Sequence, residues 1–321
     1  MAKPKATRSE PEASSAKAWA SGVADFPWKP VISVAVAGAL LVGAVIGFFR
    51  MRQGVEATYL ASKEAPAVAI MNRPAWMSDY LADEIGRWAR PDGPRSPLDD
   101  RILKEAYDRL EKSAWVSKVR QVRRAYGVRP GDTLEVDCEF RTPIALVSWG
   151  GFYYLIDNDG FRLPERYPAN RLNDIMFGRD GARRVVNIRV INGVKGGPPA
   201  RAGTKWAGAD LAAGLELVKA LYDRPFAEEI WWVNVENFAG RVDPREAQIV
   251  LGTQYGTEVR WGEPVTTEFH AELSAAQKLK RLELLKAQHR RVDAGRKWVD
   301  IRMESVYGAP VNEPEGQARG G

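Results

Sequence analysis

Val31 to Phe49 reads VISVAVAGALLVGAVIGFF, 19 consecutive residues without a charge, bracketed by Lys29 and Pro30 before and by Arg50 and Arg52 after. At about 1.5 Å per residue a helix of this length spans about 28 Å, close to the ~30 Å hydrocarbon core of a bilayer. An uninterrupted helix also satisfies every backbone polar group internally, which lipid demands. A cleaved signal peptide has a shorter apolar region, of about 7 to 15 residues, and ends in small residues at its cleavage site. Here FFRMRQ follows instead, so the segment reads as a retained membrane anchor. The flanking charges do not orient it: Lys17 and Lys29 precede the span, and Arg50, Arg52 and Lys63 follow it.

Working outward, residues 1–30 are rich in Ala, Ser, Lys, Glu and Pro without hydrophobic period and read as a flexible tail. Residues 50–66 read as a short stalk. From Ala67 the pattern is globular. AVAIMN predicts a short strand, and Ser78 to Ala89 predicts a helix with Leu81, Ile85 and Trp88 on its apolar stripe. After the turn RPDGPR, Ser96, Pro97 and Asp99 form a helix-start signal, and Ile102, Ala106 and Leu110 then fall on one face. Val116 to Arg124 and Thr133 to Arg141 read as strands joined through GVRPGD. In the first of them Val119 and Val122 are three apart, which breaks strand alternation and predicts a bulge or a register change.

Beyond Thr142 the texture becomes short strands. IALVSW and FYYLI flank Gly150 and Gly151, a two-residue hairpin signal, and DNDG turns the chain at Asp157 to Gly160. VVNIRVI is a further strand, followed by an amphipathic helix around Asp210 to Tyr222 with Leu211, Leu215 and Val218 aligned. IWWVNV, the hairpin EAQIVL/TEVRW, the helix AAQKLKRLELLKAQHRR and a last strand WVDIRMESVY complete the chain. The expected fold class is α+β. It comprises a single N-terminal transmembrane helix over 31–49, a small β-α-α-β-β domain over 67–141, and a larger mixed, mostly antiparallel β domain with packed helices over 142–308. Residues 309–321 read as a disordered tail.

Composition constrains function. Hydrophobic residues make up 45% and charged residues 27%, an ordinary globular balance with ample core. The net charge of +6 is spread over 47 basic and 41 acidic residues with no run of five like charges, which favours mixed solvated faces over a phosphate-binding arm and argues against nucleic acid as a partner. The 11 tryptophans suit sheet packing or interface anchoring. Cys138 is the lone cysteine, so neither an intrachain disulfide nor a cysteine zinc site is possible.

Catalysis needs convergent nucleophiles, acids or metal ligands, and this chain is poor in them. His270 in HAE lacks the P-C-x-x-C partner of a zinc deaminase, and His289 ends a basic helix, where imidazole is favourable without any chemistry. DNDG lacks the remaining oxygens of a calcium loop. GVKGGPPARAGTK is glycine-rich without the P-loop spacing and reads as a mobile loop. Lys278, Lys280, Arg281, Lys286, Arg290 and Arg291 around Leu279, Leu282 and Leu285 read as a solvated amphipathic helix packed on a sheet. No catalytic, cofactor or metal residues are assigned, and the expectation is a protein that is not an enzyme.

In WVDIRMESV, Val299, Ile301 and Met303 point to one face while Trp298, Asp300, Arg302 and Glu304 point to the other. At a sheet edge such a strand can accept a partner strand, whereas a covered strand can not.

The order of these elements resembles the bacterial cell-division protein family FtsQ/DivIB, over roughly Ala67 to Tyr307. Three stretches carry the likeness. One is Ser113-Ala114-Trp115-Val116 through Asp132 to Val136, with Glu139, Pro143, Ala145 and the turn Asp157 to Gly160. Another is Ile249-Val250-Leu251 with Thr257 to Gly262. The last is Lys278-Leu279 and Leu282, then Trp298 to Arg302. The resemblance implies that 67–141 is a polypeptide-transport-associated (POTRA) domain and that the C-terminal β region docks FtsB- and FtsL-type bitopic partners. The implied partner-binding residues are Trp298, Asp300, Arg302, Glu304, Val306 and Tyr307. It further implies an inner-membrane, single-pass protein with a cytoplasmic N-terminus and extracytoplasmic bulk, collected at midcell, with Val31 to Phe49 in contact with lipid. A membrane-anchored POTRA protein of secretion or outer-membrane assembly is the alternative, and a membrane-bound hydrolase a third reading.

Overall fold

The computed structural model describes residues 28–60, 66–92, 99–125, 133–172, 188–267 and 272–310. Residues 1–27 and 311–321 of the expected tails 1–30 and 309–321, the cap Ser96-Pro97, the turn GVRPGD and His270 lie outside the described residues. The chain divides into two compact units, residues 1–65 with 93–99 and residues 66–92 with 100–321.

In the first unit α1 (Trp28–Leu60) is one continuous helix. Its segment Val31–Val55 is long and apolar enough to cross a membrane. Apolar side chains stand on every side of it, Val34, Leu40 and Phe48 among them. The helix begins three residues before the expected span and continues to Leu60, so the segment read as a stalk prolongs α1 over 50–60.

The second unit is mixed α and β. Its first elements are β1 (Ala67–Ile70), α2 (Asp79–Ala89), α3 (Arg101–Glu111), β2 (Val116–Arg124) and β3 (Thr133–Phe140). The three strands form a sheet in the order β1-β3-β2, with β1 parallel and β2 antiparallel to β3. Ser78 caps α2 by accepting the Leu81 N–H at 3.2 Å. Leu81 and Ile85 are buried as expected, but Trp88 is 57% exposed, because the stripe continues through Gly86 and Ala89. Trp88 instead lies on the helix flank and donates its indole N–H to the Arg109 carbonyl at 3.1 Å. In α3, Ile102, Ala106 and Leu110 are buried together. The ladder of β2 shifts between Val116 and Lys118 and again between Val119 and Gln121. These bulges return Val119 to the interior despite the three-residue spacing.

Among the described residues the larger sheet has nine strands. They are β4 (Pro143–Trp149), β5 (Phe152–Asp157), β6 (Arg162–Pro168), β7 (Arg189–Asn192), β8 (Ile230–Asn234), β9 (Ile249–Thr253), β10 (Glu258–Gly262), β11 (Arg296–Asp300) and β12 (Tyr307–Pro310). Their order is β12-β11-β10-β9-β8-β7-β4-β5-β6. β4–β7, β7–β8 and β10–β11 pair in parallel, and the other neighbours pair antiparallel. Gly150 and Gly151 close the β4–β5 hairpin at φ 58° and 81°, the left-handed conformation that a two-residue turn requires.

Both faces of this sheet are buried at the β4–β5–β7 end. Val147, Ile156 and Ile191 face the helix α4 (Ala209–Leu221), whose Leu211, Leu215 and Val218 belong to the same core. Leu146, Leu155 and Val190 face the opposite way and share a second core with Ile85, Leu110, Trp115 and Val136 of the small sheet and its helices. At the other end Leu279, Leu282 and Leu285 of α5 (Ala275–His289) join the first core with Trp261, Val299 and Ile301. Lys278, read as a solvated cation, is buried. Its Nζ lies 2.6 Å from Glu272 and over the Trp261 ring, so partner and desolvation are supplied together. The glycine-rich segment 193–205 is irregular but pinned. Arg162 accepts from Gly203 and donates to Pro199 and Ala200, and the Trp206 indole donates to Gly196.

Leu146 joins the two layers, so Leu146→Ala should cost about 2–5 kcal/mol. Leu284, half exposed on α5, should lose less than about 0.5 kcal/mol on the same truncation. Urea unfolding of the solubilised chain followed by tryptophan fluorescence distinguishes them.

Candidate partner-binding surface

The expected last strand, 298–307, is two strands and a turn. β11 ends at Asp300 because that side chain captures the backbone beyond it: its Oδ1 accepts the Arg302 N–H at 3.0 Å, a turn typical of Asp. The Arg302 guanidinium then clasps the same carboxylate through Nη2 at 2.7 Å and Nε at 3.1 Å. Residues 302–305 bend, and Arg281 donates to the carbonyls of Met303 and Glu304 to hold the bend on α5. The chain returns as β12, antiparallel to β11 and last in the sheet. Ala309 and Pro310, expected in a disordered tail, belong to this strand.

Register builds the open face. Trp232, Gly252, Glu258 and Trp298 stand in one row of paired neighbours, and Asn234, Val250, Arg260, Asp300 and Tyr307 in the next. Their neighbours Val233, Leu251, Val259 and Val299 point into the core. The Trp232 indole sits over Gly252, where a Cβ would overlap it. The Arg260 guanidinium sits 4.8 Å from the Trp298 ring centroid and 3.5 Å from Glu246. The surface therefore sets aromatic rings beside paired charges.

Of the six residues expected to bind a partner, Trp298, Asp300 and Tyr307 share this face with the Arg302 clasp beside them. Tyr307 is 59% exposed on the edge strand. Glu304 is exposed in the bend, and Val306 packs against the main core. Arg260, Glu246 and Trp232 complete the surface without having been among the residues expected to bind a partner, while Arg281 holds the bend from α5 on the covered face. Alternation in TEVRW places Arg260 outward, but only strand order brings it to Trp298.

No family model matches the chain, and no curated protein matches it.

Burial alone would raise the Asp300 carboxyl, but the guanidinium and backbone N–H of Arg302 hold it below the usual carboxylate range. Arg302 is raised in turn, chiefly by its bond to Asp300. Elsewhere the polar clusters are structural. Asp157 accepts from Arg141 at 2.8 Å and from the N–H groups of Asp159 and Phe161, which makes DNDG a tied turn as read. Burial, helped by Asp137, pushes the Cys138 thiol up to about 11, away from thiolate chemistry. His289 ends α5. Among the described residues no group of three His, Cys, Asp or Glu side chains is placed to hold a metal ion.

One carboxyl is displaced the other way. Burial, then the charge of Glu84, push Glu165 on β6 up to about 7. The folded protein thus holds a proton there that the unfolded chain releases near its ordinary value. This stability is fully present at acid pH and is lost as pH rises through about 7. Glu165→Gln, which mimics the protonated form, should stabilise the protein at about pH 8 by on the order of 1 kcal/mol for a part-exposed group. It should also flatten the fall in melting temperature between about pH 5 and about pH 8, as read by thermal scans across that range.

Proposed function

We propose that this chain is a bitopic membrane scaffold of bacterial cell division, of the FtsQ/DivIB kind, that works by recruiting other membrane proteins. α1 confines it to the inner membrane with the N-terminus cytoplasmic, and the second unit stands outside the cytoplasm. The strand-helix-helix-strand-strand order of 67–140 supports a POTRA-like role in localisation. The observation that carries the reading is β12. It terminates a nine-stranded sheet, pairs on one side with β11, and has no strand beyond it among the described residues. An FtsB- or FtsL-type partner adds a strand there through main-chain hydrogen bonds, and Tyr307, Trp298 and Arg260 select it. Tethering both proteins in one membrane raises their effective concentration, so modest contacts suffice.

Arg302 is a poor place to test this, because reversing its charge would also undo the Asp300 turn. Tyr307→Lys leaves the clasp intact and adds the charge that natural edge strands use to repel pairing. It should weaken capture of an FtsB-like partner at least about tenfold, or ~1.4 kcal/mol, with an unchanged unfolding curve. Undiminished capture in a pull-down from native membranes would remove β12 from consideration. The same small sheet with its two helices also suits a membrane-anchored POTRA protein of secretion. A fluorescent fusion collects at midcell under the first reading and is spread over the envelope under the second.

A further inference from the structure

A groove of about 720 Å³ opens on a different part of the second unit, a volume in the range of ligand and peptide-anchor clefts. One wall is the outer flank of α2, where Tyr80 and Trp88 stand two helical turns apart at 71% and 57% exposure. The Trp88 indole N–H is engaged by Arg109, which fixes the ring and leaves its face to solvent. The floor is Trp115, 7% exposed and in tilted ring contact with Trp76 at a centroid distance of 6.1 Å. The far wall comprises Pro164 and the segment around Arg201, pinned to β6 by the Arg162 bonds. It is pressed against the floor turn so closely that a Cβ at Gly203 would lie 3.3 Å from Ala114. The groove is thus preformed.

Its charge is lopsided. Arg87, Lys112 and Arg201 line it with exposed side chains and enter no ion pair among the described residues, against the single rim carboxylate of Glu84.

We propose that this groove is a second docking site, independent of β12, that takes an acidic peptide segment of another protein by inserting one large apolar or aromatic side chain over Trp115. Excess positive charge at the rim meets the acidic flanks, and Trp88 and Tyr80 clamp the anchor from one side. Concavity argues for a peptide over a lipid surface. A flat bilayer reaches the protruding Tyr80 and Trp88 but not the recessed floor, whereas a side chain reaches both.

The test uses the full chain in nanodiscs of phosphatidylcholine and two fluorescein-labelled probes, Glu-Asp-Leu-Trp-Glu-Asp and the same peptide with Lys at every acidic position. The acidic probe should bind saturably with a Kd on the order of 10–100 µM, and the basic probe at least about tenfold more weakly. The double reversal Lys112→Glu with Arg201→Glu should invert that preference, which also shows that the variant is folded. Trp88→Ser should weaken the acidic probe, and Tyr307→Lys should leave it unchanged, so this site and the β12 edge fail or stand separately. Absence of saturable binding, or equal binding by the double reversal, would overturn the proposal. So would binding of phosphatidylglycerol vesicles without either peptide, which would make the groove a membrane contact.

Discussion

Leu146 and Val147 are neighbours on β4, both fully buried, and they end in different cores. A strand can bury both faces only where two layers meet on it. Here α4 covers one face of β4, β5 and β7, and the small three-stranded sheet with its two helices covers the other. The rest of the second unit depends on this arrangement. It ties residues 66–141 to the larger sheet through packed side chains rather than through a linker, and it leaves the β9–β12 end covered by α5 on one face with the other carrying Trp298 and Arg260.

This asymmetry places polar chemistry as well. At the doubly covered end two buried carboxylates are tied, Asp157 to Arg141 and Asp210 to Arg241, each at 2.8 Å. On the open face of the singly covered end, Arg260 and Glu246 stay in partial contact with water and cost little. Sequence distance is irrelevant to either pattern. The Lys286–Glu229 pair, for example, joins the end of α5 to the turn before β8, and Glu229 also accepts the Val292 N–H at 2.8 Å.

Much of the local structure was legible because it follows from periodicity. Leu211, Leu215 and Val218 mark α4, Gly150-Gly151 mark a hairpin, and the irregular step from Val119 to Val122 marks the β2 bulge. Where expectation and structure part, a tertiary partner decides. Trp88 follows the helical period yet is exposed, because Ala89 and Gly86 pack more closely there. Lys278 is buried because Glu272 and Trp261 meet it. The run from Trp298 to Tyr307 alternates as one strand would, and the hydrogen bonds from Arg302 to Asp300 break it. Alternation assigns faces but does not assign neighbours, so the face that gathers Trp232, Arg260 and Trp298 from three separate segments could not be assembled from the sequence.

Gly252 and Trp232 are a case in which one residue's absence of a side chain is another's seat. The indole occupies the space that any larger residue at 252 would claim, so the two positions are not free to drift separately. Chains descended from a common ancestor with this sheet would therefore change them together: bulk gained on β9 would be matched by bulk surrendered on β8. Such a paired history, read across relatives, would record the strand order in inheritance as plainly as the hydrogen bonds record it in space.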